Sequence, residues 1–181
     1  SVPVEMNGIV VKETDNLQAL YALRTEWERL SSIDPQSGFF LSWPWMCYLL
    51  ERNAEEWTVL IAYDSWLADR VCGIFPLRKK FHWSNSRKQC QTRHDAAGRF
   101  GMSEYTGFLC DPDHENRVLD AFANHLSTLP WARFSLRYEP TGYRAKRFAY
   151  WFDARQFTVA WPNYTINKGQ TNQLQSPQAL L

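Results

Sequence analysis

The chain has 181 residues, 45% hydrophobic, 22% charged and 15% aromatic, with a formal net charge of +1. That length suits one domain with a substantial core, so neither a disulfide framework nor a structural metal is needed for stability. No apolar run approaches the roughly 18–20 residues of a membrane-spanning helix, and near-neutral charge removes a global electrostatic argument for nucleic acid or membrane.

The first residues, SVPVEMNGIVVKET, lack a basic region followed by an apolar stretch, so no secretory signal is expected there and a cytoplasmic setting is. Charge is unevenly spread. Residues 1–77 hold 5 Lys/Arg and 11 Asp/Glu, whereas 78–181 hold 15 and 8. Such asymmetry can mark an anion-binding face in the second half, or simply two solvated faces of opposite sign.

In chain order, Gly8 to Thr14 reads as a first strand, rich in β-branched residues. Asp15 can cap a helix, with Gln18 as the other half of a capping box. Leu17, Leu20, Leu23, Trp27 and Leu30 then fall at three- and four-residue intervals, one apolar stripe. Asp34-Pro35 reads as a turn. A second helix opens at Ser42, with Pro44 in a first turn that has no internal donors to lose. Trp57 to Tyr63 is a buried strand, and Asp64 to Asp69 turns the chain into a second, Arg70 to Arg78. There Gly73 suggests a bulge, and Pro76 an edge or an irregularity.

A third strand is expected from Tyr105 to Cys110. Asp111 caps the following helix, Pro112 takes its first position, and Val118, Leu119, Phe122, Ala123, Leu126 and Leu129 form its apolar face before Pro130 stops it. Strands at Arg133 to Tyr138 and Phe157 to Trp161 bracket a helix from Gly142 to Asp153. From Asn167 the chain is polar and rich in Gln and Asn, a mobile extension or linker. The organisation expected is one domain over 1–166 and a tail over 167–181. The order of elements favours an α/β domain with a mixed, partly antiparallel sheet.

Several of these segments resemble a known family. They are Trp27-Glu-Arg-Leu30, Phe39-Phe40-Leu-Ser42-Trp43, Gly73-Ile-Phe-Pro76-Leu77 and Gly101-Met-Ser-Glu104-Tyr105, followed by the acidic-Pro helix and the strand after Trp131. Together, over roughly residues 10–166, they look like the N-terminal half of the cellulose-biosynthesis acetyltransferase (CelD/BcsL-like) family of the GNAT acyltransferase superfamily, distantly similar to FemAB-type aminoacyl transferases. The resemblance implies a GNAT-like fold, a central mixed, partly antiparallel sheet flanked by helices. It also implies transfer of an acyl group from acyl-coenzyme A (acyl-CoA) to a small amine, sugar or peptide. In two-domain relatives the cofactor-binding signature is expected in the second half, and Asn163-Tyr164-Thr-Ile166 resembles the strand leading into it. A second GNAT-like domain or a second copy of the chain is the partner implied, and a small-molecule ligand fits either case.

The residues temper that activity. A GNAT enzyme grips the coenzyme A pyrophosphate with backbone N–H groups at a helix N-terminus, after a Gln/Arg-x-x-Gly-x-Gly/Ala loop. Asp95-Ala-Ala-Gly98-Arg99-Phe100 puts a carboxylate where phosphate belongs and a bulky ring where a small residue is needed. Cys110-Asp111-Pro112-Asp113-His114-Glu115 offers three acids and an imino acid without an N–H. The expectation is therefore a GNAT-like module catalytically weak or silent as a stand-alone half, binding a ligand or partner, with an active acyltransferase as the alternative.

The catalytic candidates for that alternative are Glu104, as general base for an incoming amine, and Tyr105, as proton donor to the leaving thiolate. If both lie in strand their side chains point to opposite faces. Anion-binding candidates come from the basic stretch between Arg78 and Arg99, with Lys88, Arg93 and Arg99 foremost and Phe81, His82 and Trp83 interleaved. Single-stranded nucleic acid, a nucleotide phosphate, an anionic sugar or a solvated hairpin would each suit that pattern, but no recognition motif accompanies it for nucleic acid.

Cys47, Cys72, Cys90 and Cys110 show no C-x-x-C spacing, so no metal is expected. Cys90 and His94 would pair only on a helix, and their context reads as strand and loop. Cys47 and Cys72 read as small core residues. The nine tryptophans read chiefly as core, with a sugar cleft or a dimer face as the other use.

Overall fold

A computed structural model describes the backbone of residues 4–53, 56–84, 89–96, 107–129, 133–135, 142–160 and 165–168. Fourteen elements follow one another: β1 (Val4–Met6), β2 (Ile9–Thr14), α1 (Leu17–Ala22), α2 (Arg24–Ile33), α3 (Trp43–Arg52), β3 (Trp57–Asp64), β4 (Arg70–Ser84), β5 (Gln89–Ala96), β6 (Leu109–Cys110), α4 (Glu115–Thr128), β7 (Arg133–Ser135), α5 (Tyr143–Asp153), β8 (Thr158–Ala160) and β9 (Thr165–Asn167). They build a mixed α/β domain with one sheet in the order β1-β2-β3-β4-β5-β7-β9-β8, and β6 alongside β4. Among the described residues every strand pairing is antiparallel except β5 with β7.

Alternation along β3 divides the core between the two faces of the sheet. Leu60 and Ala62 join Phe75, Leu77, Phe134 and Ile166 under α4 and α5. Val59 and Ile61 join Val71, Ile74 and Leu109 under α1, α2 and α3. Phe75 centres the first layer, with the rings of Phe108, Phe122, Phe134 and Phe148 between 5.0 and 6.1 Å away. In the second, Trp27 meets Trp43 edge-on at 5.6 Å and donates its indole N–H to the Leu41 carbonyl at 2.8 Å. Trp57 donates to the Leu50 carbonyl. These tryptophans are core, as expected, while Trp66 stands two-thirds exposed.

The first helix departs from its uninterrupted apolar stripe. Asn16, not Asp15, caps it, accepting from the Ala19 N–H at 2.8 Å. At Leu23 the N–H turns back to the Leu20 carbonyl, and the helix breaks into α1 and α2. Ser42 precedes α3, and its hydroxyl bonds back to the Phe39 carbonyl.

Gly73 lies beside a register shift of β4 against β3. A Cβ there would sit 2.6 Å from the Val118 side chain, so glycine lets α4 press onto the strand. Pro76 falls where β4 changes neighbours, after β6 pairs at Gly73 and Ile74 and before β5 begins at Leu77. A missing N–H is tolerated at such a junction.

Thr165–Asn167 is placed inside the sheet, between β7 and β8. Lys168 continues it and donates to the Leu129 carbonyl. No described helix is long and apolar enough to cross a membrane.

Candidate functional site

The start of α4 is where polar chemistry concentrates. β6 delivers the chain to Asp111, a single turn at Pro112–His114 follows, and α4 begins at Glu115. Two charge clusters converge there from opposite sides.

The first is built on Asp34 and Arg144, both buried. Arg144 grips Asp34 with two parallel bonds of 2.8 and 3.0 Å, donates to the Phe108 carbonyl at 2.8 Å and lies 3.5 Å from the Glu115 carboxylate. Asp34 accepts in addition from the backbone N–H groups of Cys110 and Gln36. Burial alone would lower the Arg144 pKa, but the Asp34 carboxylate outweighs it and holds the guanidinium more firmly charged than usual. The pair locks the end of α2, β6 and the start of α5 around one point.

The second is built on Asp64, the last residue of β3. Its carboxylate accepts from Arg117 at 3.2 and 3.3 Å and from the Trp66 backbone N–H at 2.9 Å, with His114 Nε2 2.7 Å away. Burial pushes the Asp64 carboxyl up, but these donors more than offset it and hold the carboxyl below its ordinary range. Arg117 also donates to the Asn7 carbonyl and lies 4.2 Å over the Trp66 ring. Gly8 sits against both at φ +75°, where a Cβ would fall within 3 Å of Trp66 and Arg117. The other imidazole nitrogen of His114 is 3.4 Å from an Asp111 oxygen. The Nε2 contact with Asp64 makes the ring a clamp joining β3 to α4, while Nδ1 is buried and makes no hydrogen bond to a described residue.

The backbone donors of the turn are also consumed. Pro112 has none, the Asp113 N–H goes to the Asp111 carboxylate at 3.0 Å, and the His114 N–H goes to the Asp111 carbonyl at 2.9 Å. The Glu115 N–H goes to the Pro112 carbonyl. With the Asp111 carboxylate in the place an anion would take, and Asp113 and Glu115 beside it, this turn does not fit a coenzyme A pyrophosphate.

The other candidates fare differently. Glu104, Tyr105, Lys88 and Arg99 lie outside the described residues, as does the Gly98-Arg99-Phe100 part of the second loop. Arg93 is placed on β5, directly across from Lys80 on β4 and Arg133 on β7. Cys90 and His94 share that strand, so their spacing is about 13 Å of extended chain and not the single helical turn that would pair them. Among the described residues no group of His, Cys, Asp and Glu could hold a metal ion.

Cys72 and Cys110 are buried, as a small core residue should be, and burial pushes the Cys72 thiol up to about 12 and Cys110 well above its usual value. Cys47 is only partly buried. Desolvation, then a bond to Glu51, raises it to about 11. None of the three is a ready nucleophile.

Sequence reading missed both clusters. The available signal was a charge inside an apolar stripe: Arg144 shares a helix face with Ala145, Phe148, Trp151 and Phe152, and His125 shares one with Val118, Phe122 and Leu126. His125 meets Glu13 of β2 at 2.8 Å, a third such tie.

No family model matches the sequence, and no curated protein matches it. Among solved structures the chain is similar to a spermidine N-acetyltransferase SpeG chimera from Vibrio cholerae and hSSAT, at 6% identity and a TM-score of 0.45, over 89% of this chain and 93% of that one. A match this distant says nothing of substrate or mechanism.

Proposed function

We propose that this chain is a GNAT-type module, akin to acyl-CoA-dependent acyltransferases, that is catalytically silent and acts by binding a ligand or partner. The resemblance of the segments between Trp27 and Trp131 supports the kinship. The silence rests on one observation: Asp111 occupies the N-terminal turn of α4 with its own carboxylate and carbonyl, and no N–H of that turn is left for a pyrophosphate. A coenzyme A ligand would have to displace that carboxylate against the charges of Asp113 and Glu115. A cytoplasmic setting belongs to the same reading, supported by free thiols at Cys47, Cys72 and Cys110.

Calorimetric titration with coenzyme A and acetyl-coenzyme A tests it. The expected result is no heat at millimolar ligand. Micromolar binding, about −8 kcal/mol, would overturn the reading and restore the active acyltransferase. In that event Glu104→Gln should abolish transfer to a small amine.

The partner in this proposal is a second copy of the chain. Phe39, Phe40, Trp45 and Tyr48 form a ring cluster on α3 and the turn before it, with centroids 5.3 to 6.1 Å apart, and Phe39 and Tyr48 are exposed. Aromatic residues are enriched where proteins meet. Light scattering is expected to give twice the 21.3 kDa chain mass; a monomer at high concentration would remove this part.

A further inference from the structure

We propose that Trp66 is a fixed stacking surface for a neutral sugar, and that the Asp64–Arg117 clamp serves to hold it. The proposal is independent of the acyltransferase kinship. It uses neither the backbone donors of the α4 turn nor the ring cluster on α3. Its starting point is an exception among the described tryptophans. Trp27, Trp43, Trp57 and Trp151 are buried and Trp45 is half-buried, whereas Trp66 is 66% exposed on the turn between β3 and β4. Leu67 beside it is 52% exposed.

An exposed ring on a turn changes rotamer freely unless its neighbours hold it. Here they do. The Trp66 N–H donates to the Asp64 carboxylate at 2.9 Å, and the Ser65 N–H donates to the Gly8 carbonyl at 2.8 Å. The Arg117 guanidinium, itself bonded to Asp64 and to the Asn7 carbonyl, lies 4.2 Å from the ring centroid. A Cβ at Gly8 would fall 2.4 and 2.6 Å from Trp66 Cε2 and Cδ2, the two atoms of the fused bond, and 2.8 Å from Arg117 Nη2. Gly8 and Arg117 therefore close the same face of the indole. The exposed area belongs to the opposite face.

The turn itself is strained. Ala68 and Asp69 both have positive φ, +52° and +58°, a left-handed pair without a glycine. Such backbone persists only where surrounding contacts over-determine it, and it clusters at binding and catalytic sites. Strain that presents an indole, with a glycine packed beneath the ring, describes a surface organised before its ligand arrives.

The charges nearby select the ligand. The Arg117 cation on the closed face repels a second cation stacking on the open one. A phosphate-bearing nucleotide would meet Glu5 and Asp69, both exposed, while Arg117 is engaged by Asp64. Glu5 belongs to this group, since its carboxylate lies 3.4 Å from the Ser65 hydroxyl. A neutral sugar meets neither repulsion. Its C–H face packs on the indole, and its hydroxyls donate to the Glu5 and Asp69 carboxylates and to the exposed Asn7 amide.

NMR titration of the whole chain with maltohexaose, cellohexaose and mannohexaose, each to millimolar concentration, tests the site. Saturable shifts of the Trp66 indole N–H and the Asn7 side-chain amide are expected with at least one of them, a readout that needs no variant to fold. Trp66→Ala should weaken that binding at least tenfold. Phe39→Ala, which removes an exposed ring elsewhere, should leave it unaltered. An unmoved Trp66 indole with all three sugars overturns the proposal, as does unchanged binding in Trp66→Ala. Equal weakening by the two variants also overturns it, because contact with exposed rings would then be general. Shifts of the same indole with adenosine monophosphate or propylamine, but with no oligosaccharide, would replace the sugar with a nucleotide or an amine.

Discussion

Arg144→Met should destabilise the chain by about 3–5 kcal/mol, the usual consequence of removing one partner from a buried ion pair. The Asp34 carboxylate would stay buried, keeping the Cys110 and Gln36 backbone donors but losing the only described cation that grips it with two bonds. The Phe108 carbonyl would lose its donor as well. For a domain of this size that corresponds to a fall of roughly 6–20 °C in the thermal midpoint. Adding Asp34→Asn should recover part of the loss, because it removes the buried charge while the amide oxygen still accepts from one of those two N–H groups, which bond to different carboxylate oxygens. Urea unfolding of the two single variants and the double variant measures the coupling. A loss below 1 kcal/mol in Arg144→Met would mean that water or a neighbour replaces the guanidinium, and the pair would not be the tie between α2, β6 and α5.

How that pair escaped sequence reading shows which part of the molecule the residues reveal directly. Apolar periodicity located α4, α5 and the β3–β4 pair, because each buries a stripe or a face whose spacing repeats locally. Asp34 next to Pro35 looked like a turn residue, and locally it is one, since its carboxylate accepts from the Gln36 N–H two residues on. Its partner lies 110 residues away, beyond the reach of any periodic pattern. The break at Leu23 was hidden for the opposite reason: the stripe from Leu17 to Leu30 runs through it unbroken, and only the Leu23 N–H records the change. The α4 turn was legible as a poor phosphate cradle because its acids and its proline are contiguous.

Asp64→Ala is the second large effect, a loss of about 2–4 kcal/mol at neutral pH. A hydrogen bond between an ionised group and its partner contributes about 1.5–3 kcal/mol, and here three donors depend on one carboxylate. Partial exposure of Arg117 reduces its share, because solvent compensates the freed guanidinium. The pH dependence separates this clamp from simple loss of packing. The folded-state pKa of Asp64 is depressed, so its stabilisation is fully present above the unfolded carboxyl pKa, about 3.9. It is lost as pH falls through the lower folded value. Stability of the unaltered chain and of Asp64→Asn, measured by denaturant midpoint, should therefore differ by a constant amount above about pH 5 and converge below about pH 4. A gap that stays constant down to pH 2 would show that folding does not shift the Asp64 pKa, so that the donors around it give no net preference for the ionised carboxylate.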